Sequence, residues 1–332
     1  MTTPFQVRSE HIKRLNDEQL THLLKDLLHA EAFKFGIVQR AVEVSLNIRV
    51  GDGGEDGRIS WSGDLAQTDF CPNQLTMFQN KATEMAAGAY ANEILTKARP
   101  NHPSVLKPKV EEVLDAGGSY IVFTTQELNS QQKGERIIAV RGVLEDHGKA
   151  YAQTCDIQIY DAAQIAGWVN QFVPVVASVL SWVGQPIERG LKNFKAWKEF
   201  EEHSLLPFAA VESRREIVDQ LKTGLKEEKS CLRMMGLSGL GKTRTALQVF
   251  EEDETLQELV VYIDANMNID IVALVSDWVG SNLRAILVID NCEYKLHNRL
   301  VDEVRRESSQ ISLLSLDYNF DSVSKQTKTI QL

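Results

Sequence analysis

The stretch that decides the fold is residues 231–250, CLRMMGLSGLGKTRTALQVF. An apolar, strand-like segment is followed by a loop that matches G-x-x-x-x-G-K-[ST], and a helix-forming segment follows the loop. Glycines in such a loop let backbone N–H groups surround phosphate oxygens, and the helix N-terminus adds partial positive charge. The stretch therefore predicts a phosphate-binding loop within a domain of alternating strands and helices, which implies a parallel sheet.

The positions of this loop have expected roles in binding ATP with Mg²⁺. We expect Lys242 to reach the β- and γ-phosphates and Thr243 to hold Mg²⁺. The apolar segment AILVIDN supplies Asp290, an acid that would position the same ion. The other expected nucleotide-binding residues are Gly236, Ser238, Gly239 and Gly241. Asn291 stands where many ATPases carry a second acid, so the pattern favours slow hydrolysis or a nucleotide-held switch.

Composition and length limit the class of protein. A chain of 332 residues favours two domains. The net charge of −10 argues against indiscriminate coating of nucleic acid, but it permits a local basic groove. The sequence has no apolar run long enough to cross a bilayer, and its four cysteines form no CxxC pair. We therefore expect a cytoplasmic α/β protein with no membrane partner.

The order of the predicted elements suggests three segments. Residues 1–185 predict a mixed sheet flanked by helices, and residues 186–210 predict a linker helix. Residues 211–332 predict the front part of the nucleotide-binding domain. Few residues follow its last predicted strand, ISLLSLDYN, so we expect the chain to be a fragment of a longer protein.

A second group of polar residues lies in the first segment. Asp56 ends a glycine-rich turn, GDGGEDG, and Gln79 and Lys81 lie two apart on a predicted strand, so they share one face. Glu31 continues an apolar row on the first long helix and would complete the group. A carboxylate and an amide oxygen are Mg²⁺ or Mn²⁺ ligands, and a nearby lysine can orient or deprotonate a water. This arrangement predicts metal-assisted hydrolysis of phosphodiester bonds.

These residues resemble the active site of the PD-(D/E)xK nuclease superfamily, in particular its Mrr-like branch, in which glutamine commonly replaces the acid before the lysine. Glu31, GGEDG with Asp56, and Gln79-Asn-Lys81 carry the resemblance. It implies a restriction-endonuclease-like fold with Glu31, Asp56, Gln79 and Lys81 as the catalytic group. Asp52 competes with Asp56 as the metal ligand, and the family pattern favours Asp56.

The segment IQIYDAAQIAGWVN followed by the phosphate-binding loop is also similar to antiviral STAND NTPases (Avs-type) of bacterial defence. That resemblance implies double-stranded DNA as substrate, homo-oligomerisation on activation, and a phage protein trigger that a C-terminal sensor outside this sequence would detect.

Other interpretations of the same residues stay open. The first domain could instead be an inactive DNA-binding or assembly module attached to the nucleotide switch. Lys81 could make only a salt bridge beside a polar turn. A small-molecule kinase would explain the phosphate-binding loop but not the first part of the chain.

Overall fold

The computed structural model describes residues 6–46, 55–96, 104–185, 190–202, 208–209, 211–267, 269–318 and 327–332. The chain divides into two units, with the boundary between Val169 and Asn170. Each unit combines helices with a β-sheet, and parallel and antiparallel pairs both occur. The prediction of a general α/β fold is confirmed.

The first unit contains a five-stranded sheet in the order β1-β2-β3-β4-β5. Its strands are β1 Val42–Val44, β2 Gly57–Ser60, β3 Leu75–Lys81, β4 Ser119–Thr124 and β5 Asp156–Tyr160. Its helices are α1 Ser9–Ile12, α2 Asp17–Lys34, α3 Ala87–Glu93, α4 Pro108–Asp115, α5 Ser130–Asp146 and α6 Ala162–Val169. Strands β1 to β3 pair antiparallel, whereas β3, β4 and β5 pair parallel. The sheet is therefore mixed.

Helix α2 forms where the sequence gives both a start signal and an apolar face. The Asn16 side chain accepts from the Gln19 N–H at 2.8 Å, and the Gln19 side chain accepts from the Asn16 N–H at 3.0 Å. These reciprocal bonds satisfy donors that the first helical turn leaves unpaired. Leucines follow at helical spacing and are fully buried: Leu20, Leu23, Leu24, Leu27 and Leu28.

The two faces of β3 are covered by different residues. Phe78 lies among aromatic rings on one face, with its ring centroid 6.2 Å from that of Trp168. Met77 belongs to the apolar cluster on the other face, together with Tyr120 and Val122 of β4. Because side chains alternate along a strand, Gln79 and Lys81 lie on the Met77 face and Asn80 lies on the Phe78 face.

The second unit contains a six-stranded sheet in the order β11-β7-β10-β9-β8-β6. Its strands are β6 Lys192–Asn193, β7 Cys231–Met235, β8 Val260–Asp264, β9 Arg284–Asp290, β10 Gln310–Asp317 and β11 Lys328–Gln331. Its helices are α7 Val173–Trp182, α8 Phe194–Glu202, α9 Glu212–Lys226, α10 Lys242–Glu251, α11 Glu254–Gln257, α12 Ile271–Gly280 and α13 Tyr294–Val304. All its neighbouring strands pair parallel except β6, which pairs antiparallel with β8.

The boundaries between segments differ from those expected. The apolar run that contains Pro174 is split into α6 and α7, and the division between units falls between them rather than at residue 185. Pro174 lies in the first turn of α7, where its missing N–H costs no helical hydrogen bond. The described part of the expected linker contains β6 and α8, which belong to the second unit. Trp197 of α8 is fully buried and stacks on Tyr262 at 4.6 Å between ring centroids.

None of the helices in the described ranges is both long enough and apolar enough to cross a membrane.

Candidate functional site

In the second unit, the loop between β7 and α10 contains two residues that need left-handed backbone. Gly239 has a φ of 83° and Gly241 a φ of 84°. Residues with a Cβ rarely adopt such angles, so glycine is required for this chain path. Gly241 directly precedes α10, whose first turn presents backbone N–H groups without helical partners. The loop therefore has the geometry for receiving an anion.

Lys242 folds back over this loop. Its ammonium donates to the carbonyl oxygens of Gly236 at 2.8 Å and Leu237 at 3.1 Å. Burial lowers the pKa of Lys242, and the carboxylates of Asp290 and Asp317 act in the opposite direction. The lysine is thus held at the loop by neutral carbonyls, which an anionic ligand can replace.

Thr243 and Asp290 are joined directly. The Thr243 hydroxyl donates to the Asp290 carboxylate at 2.6 Å, and the Tyr262 hydroxyl lies 3.3 Å from the same oxygen. Asp290 is the last residue of β9, and Thr243 lies in the first turn of α10. A hydroxyl and a carboxylate at this spacing are two hard oxygen ligands of the kind that Mg²⁺ prefers.

A cavity of about 560 Å³ adjoins these groups. Six of the predicted nucleotide-binding residues line it: Ser238, Gly239, Gly241, Lys242, Thr243 and Asp290. Gly236 contributes the carbonyl that accepts from Lys242. Arg214 of α9 also lines the cavity and donates to the Leu240 carbonyl at 2.9 Å. The structure therefore brings the residues chosen from the loop pattern to one site, and it adds a guanidinium that the pattern did not include.

The residue after Asp290 has a structural contact of its own. Asn291 has a φ of 53°, and its side-chain amide donates to the Asp264 carboxylate at 2.9 Å. Asp264 and Asp290 occupy paired positions at the ends of β8 and β9. The Asn291 amide thus joins two strand ends and, being neutral, provides no general base.

In the first unit, Asp56 contacts the strand that carries Gln79 and Lys81. Its carboxylate accepts from the backbone N–H of Asn80 at 2.6 Å. Gly57 pairs with Phe78, so one further step in the antiparallel register sets Asp56 opposite Gln79. Opposite residues of an antiparallel pair share a face. Asp56 therefore reaches β3 between the two side chains that the sequence linked to it.

Gln79 and Lys81 meet a carboxylate that sequence analysis did not select. Glu93, the last residue of α3, accepts from the Gln79 amide and forms an ion pair with Lys81, both at 2.8 Å. The Gln79 amide oxygen accepts from the buried Tyr120 hydroxyl. Burial raises the pKa of Tyr120, and the charges of Glu93 and Asp56 raise it further. Both carboxylates therefore act on the same hydroxyl.

The expectation that Glu31 joins this group is wrong. Glu31 is fully buried and accepts from the Phe70 backbone N–H and the Trp168 indole N–H, both at 3.1 Å. Trp168 packs on the Phe78 face of β3, whereas Gln79 lies on the opposite face. Glu31 continues the apolar row because its carboxylate serves as a hydrogen-bond acceptor inside the core. Burial raises its pKa.

Two points complete the comparison with the sequence. Asp52, the competing metal ligand, lies outside the described residues. Glu93 was missed because it lies on a helix 14 residues after Gln79, within a run of small residues that suggested only packing. Glu93 is the single acid of α3, and an isolated acid among small residues is a feature that could have indicated a site residue.

The donors near Gln79 are suited to a hard cation. Carboxylate and amide oxygens are preferred by Mg²⁺ and Mn²⁺. Among the described residues, no three His, Cys, Asp or Glu side chains come together as a metal-binding group. A site here would therefore depend on the Gln79 amide oxygen in addition to carboxylates.

No protein-family model and no curated protein matches the chain. Among solved structures, the chain is similar to Rhizobiales Trip13, with 14% sequence identity and a TM-score of 0.22. The match covers 41% of this chain and 52% of the other, so it spans about half the length of that structure. A similarity of this size identifies no family for the chain.

Proposed function

We propose that the protein is an ATP-regulated, divalent-metal-dependent DNA endonuclease that hydrolyses phosphodiester bonds. The first unit would cut DNA, and the second would bind ATP with Mg²⁺ and control cutting. One observation carries the proposal: Gln79 and Lys81 share a face, and the Asp56 carboxylate reaches the strand between them at 2.6 Å from the Asn80 nitrogen. That combination places a carboxylate, an amide and an ammonium together, which metal-assisted hydrolysis of a phosphodiester would use.

In the nuclease reaction, Asp56 and Gln79 would hold Mg²⁺ or Mn²⁺. The ion supplies Lewis-acid chemistry, polarising the phosphate and lowering the pKa of a bound water. The Lys81 ammonium would orient the attacking water and offset charge that develops on the phosphate. Its ion pair with Glu93 at 2.8 Å fixes the direction of the ammonium before DNA arrives.

In the second unit, the loop around Gly239 and Gly241 would surround the phosphates of ATP. Lys242 would exchange its carbonyl partners for phosphate oxygens, and Thr243 and Asp290 would hold Mg²⁺. The Asn291 amide supplies no base, which favours a slowly hydrolysing switch over a motor. The order β11-β7-β10-β9-β8, with the loop after β7 and the acid at the end of β9, supports a P-loop domain, and the resemblance adds the STAND type.

The resemblance to antiviral STAND NTPases extends the proposal to a biological role. The chain would be a cytoplasmic effector of bacterial anti-phage defence with a restriction-endonuclease-like first domain. Double-stranded DNA would be its substrate, and activation would form a homo-oligomer in response to a phage protein. Control by ATP has a physical reason, since an unregulated DNase would destroy the DNA of its own cell.

The test is plasmid cleavage by the purified chain with Mg²⁺ or Mn²⁺, with and without ATP. We expect wild type to nick the plasmid and Lys81→Ala and Asp56→Ala to be inactive. Lys13→Ala is the matched control, because it removes a lysine from an exposed ion pair with Glu127 in the same unit.

Two results would contradict the proposal. One is cleavage that persists in both variants, which would assign it to a contaminant or another site. The other is an inactive wild type that binds DNA as tightly as the two variants do, which would favour the DNA-binding or assembly module.

A further inference from the structure

Glu93 occupies a central position among the polar groups of the first unit. One of its oxygens, Oε2, lies 2.8 Å from the Gln79 amide nitrogen, 2.8 Å from the Lys81 ammonium and 3.8 Å from the Lys107 ammonium. The closest contact with each of these three groups is made by Oε2 rather than by Oε1. Glu93 therefore engages these groups mainly through one oxygen of its carboxylate.

The charge balance of the site shows what Glu93 adds. Gln79 is neutral, so Asp56 and Lys81 together contribute no net charge at a point that must attract a dication. Mg²⁺ sites in enzymes commonly use one or two carboxylates plus the substrate phosphate. Lys107 adds a further positive charge beside Glu93. Glu93 therefore brings the group from net positive to neutral, and it adds a second carboxylate, from a helix rather than from the strand.

Tyr120 orients the Gln79 side chain that contacts Glu93. Its buried hydroxyl donates to the Gln79 amide oxygen, so the amide nitrogen is turned toward Glu93. This orientation holds one Glu93 oxygen beside Gln79. Burial raises the pKa of Tyr120, and the charges of Glu93 and Asp56 raise it further, so the hydroxyl stays a donor to Gln79.

We propose that Glu93 is the second carboxylate ligand of the catalytic metal, in the place that a strand acid would fill if position 79 were not glutamine. The inference rests on the proposed nuclease function and deepens it. Glu93 would help to hold the ion while it keeps its ion pair with Lys81. The lysine that acts on the water and the carboxylate that holds the metal would then be coupled through one side chain.

The experiment measures Mn²⁺ binding to the full chain without nucleotide, by the electron paramagnetic resonance signal of free Mn²⁺. Asp56→Asn identifies the site, as the binding that this variant loses. We expect Glu93→Gln to weaken binding at that site by about tenfold or more, since even ligand-supporting residues contribute about 10–100-fold. Glu84→Gln is the matched control: an exposed acid nearby, with the same change in charge.

A variant of Lys81 distinguishes a metal-ligand role of Glu93 from a role in positioning Lys81. If Glu93 acts only by holding Lys81, Lys81→Met should weaken Mn²⁺ binding as much as Glu93→Gln does. A ligand role predicts that Lys81→Met leaves the affinity unchanged or raises it, because a positive charge is removed. Thermal unfolding without metal shows whether each variant is folded.

The outcomes distinguish this inference from the function on which it rests. Asp56-dependent binding that Glu93→Gln leaves unchanged, or that Lys81→Met weakens equally, overturns the role of Glu93 and leaves the nuclease proposal standing. A wild type without any Asp56-dependent Mn²⁺ binding overturns both.

Discussion

Replacing Glu31 with glutamine tests whether this residue is a hydrogen-bond acceptor in the core or a catalytic acid. The wild-type carboxylate accepts from two donors, the half-buried Phe70 N–H and the buried Trp168 indole N–H, each at 3.1 Å. Glutamine offers one acceptor oxygen and turns an NH₂ group toward the other donor. The variant therefore loses one charge-assisted hydrogen bond. If the loss falls on the Trp168 indole, a buried N–H is left without an acceptor, whereas the Phe70 N–H also lies 3.4 Å from the Thr68 hydroxyl.

The size of the effect follows from these contacts. Hydrogen bonds to charged groups contribute about 1.5–3 kcal/mol, and an unsatisfied buried donor costs about 1–3 kcal/mol. Burial of the charge, which raises the pKa of Glu31, offsets part of this loss because glutamine carries no charge to desolvate. We expect a net decrease in the free energy of unfolding of about 1–3 kcal/mol at neutral pH. For a unit of this size the melting temperature would fall by about 2–10 °C.

The pH dependence gives an independent check. A carboxyl whose folded pKa lies above its unfolded value of 4.5 binds more protons when folded, so its contribution to stability falls as pH rises through the folded pKa. Wild type should therefore gain stability relative to Glu31→Gln as the pH is lowered from neutral toward 4.5. Urea unfolding followed by tryptophan fluorescence measures this difference across the pH range.

The control is Glu18→Gln, an exposed acid in the first turn of the same helix, which should lower stability by at most about 1 kcal/mol through the helix dipole. DNA cleavage, measured below the melting temperature, should be similar in Glu31→Gln and wild type. A Glu31→Gln protein with wild-type stability and no cleavage would refute the reasoning and return Glu31 to the catalytic group.

Three further predictions concern the second unit. Lys242→Ala should abolish the rise in melting temperature that MgATP gives wild type. At a MgATP concentration of about 100 times the dissociation constant, that rise corresponds to a stabilisation of about 2.7 kcal/mol. Differential scanning fluorimetry measures the melting temperature, and an equal rise in the variant would contradict nucleotide binding at this loop. Burial lowers the pKa of His297 to about 4, so the free energy of unfolding should fall by about 3 kcal/mol as the pH falls from 6.5 to 4. His297→Gln should lack this pH dependence in urea unfolding. An unchanged pH dependence in the variant would assign the effect to other groups. Arg233 and Asp317 form an ion pair with side-chain exposures of 1% and 3%. Arg233→Met and Asp317→Leu should each destabilise by about 3–5 kcal/mol, and the double variant by much less than the sum; additive losses in chemical denaturation would show that the charges do not compensate each other.

The loop site was predictable because its chemistry is local in sequence. Gly239 and Gly241 have left-handed backbone, and Lys242 and Thr243 follow directly in the helix. A few consecutive positions therefore specify most of the loop site. Asp290 was found because it ends an apolar run that can only be a buried strand. Arg214 was not found, since its approach to Leu240 depends on how α9 packs.

The first-unit site shows where sequence periodicity stops being informative. The period of two correctly put Gln79 and Lys81 on one face, because alternation is a property of the strand alone. Glu31 was misassigned because a helical row specifies which residues share a stripe but not which face of the sheet that stripe covers. Glu93 was missed for the corresponding reason: the end of α3 reaches Lys81 only through the tertiary path of the chain.

The expected linker illustrates a different limit. Residues 186–210 carry charges and two prolines, which suggested a connection. Two residues of this stretch, Lys192 and Asn193, nevertheless form an edge strand paired with β8. A strand of two residues is too short to show alternation. Trp197 is the better signal, since a fully buried indole in a linker would need a partner, and here it stacks on Tyr262. The Tyr262 hydroxyl in turn lies 3.3 Å from Asp290. The segment that follows Asn170 is therefore part of the framework that holds the Asp290 carboxylate, and the second unit begins there rather than at Val211.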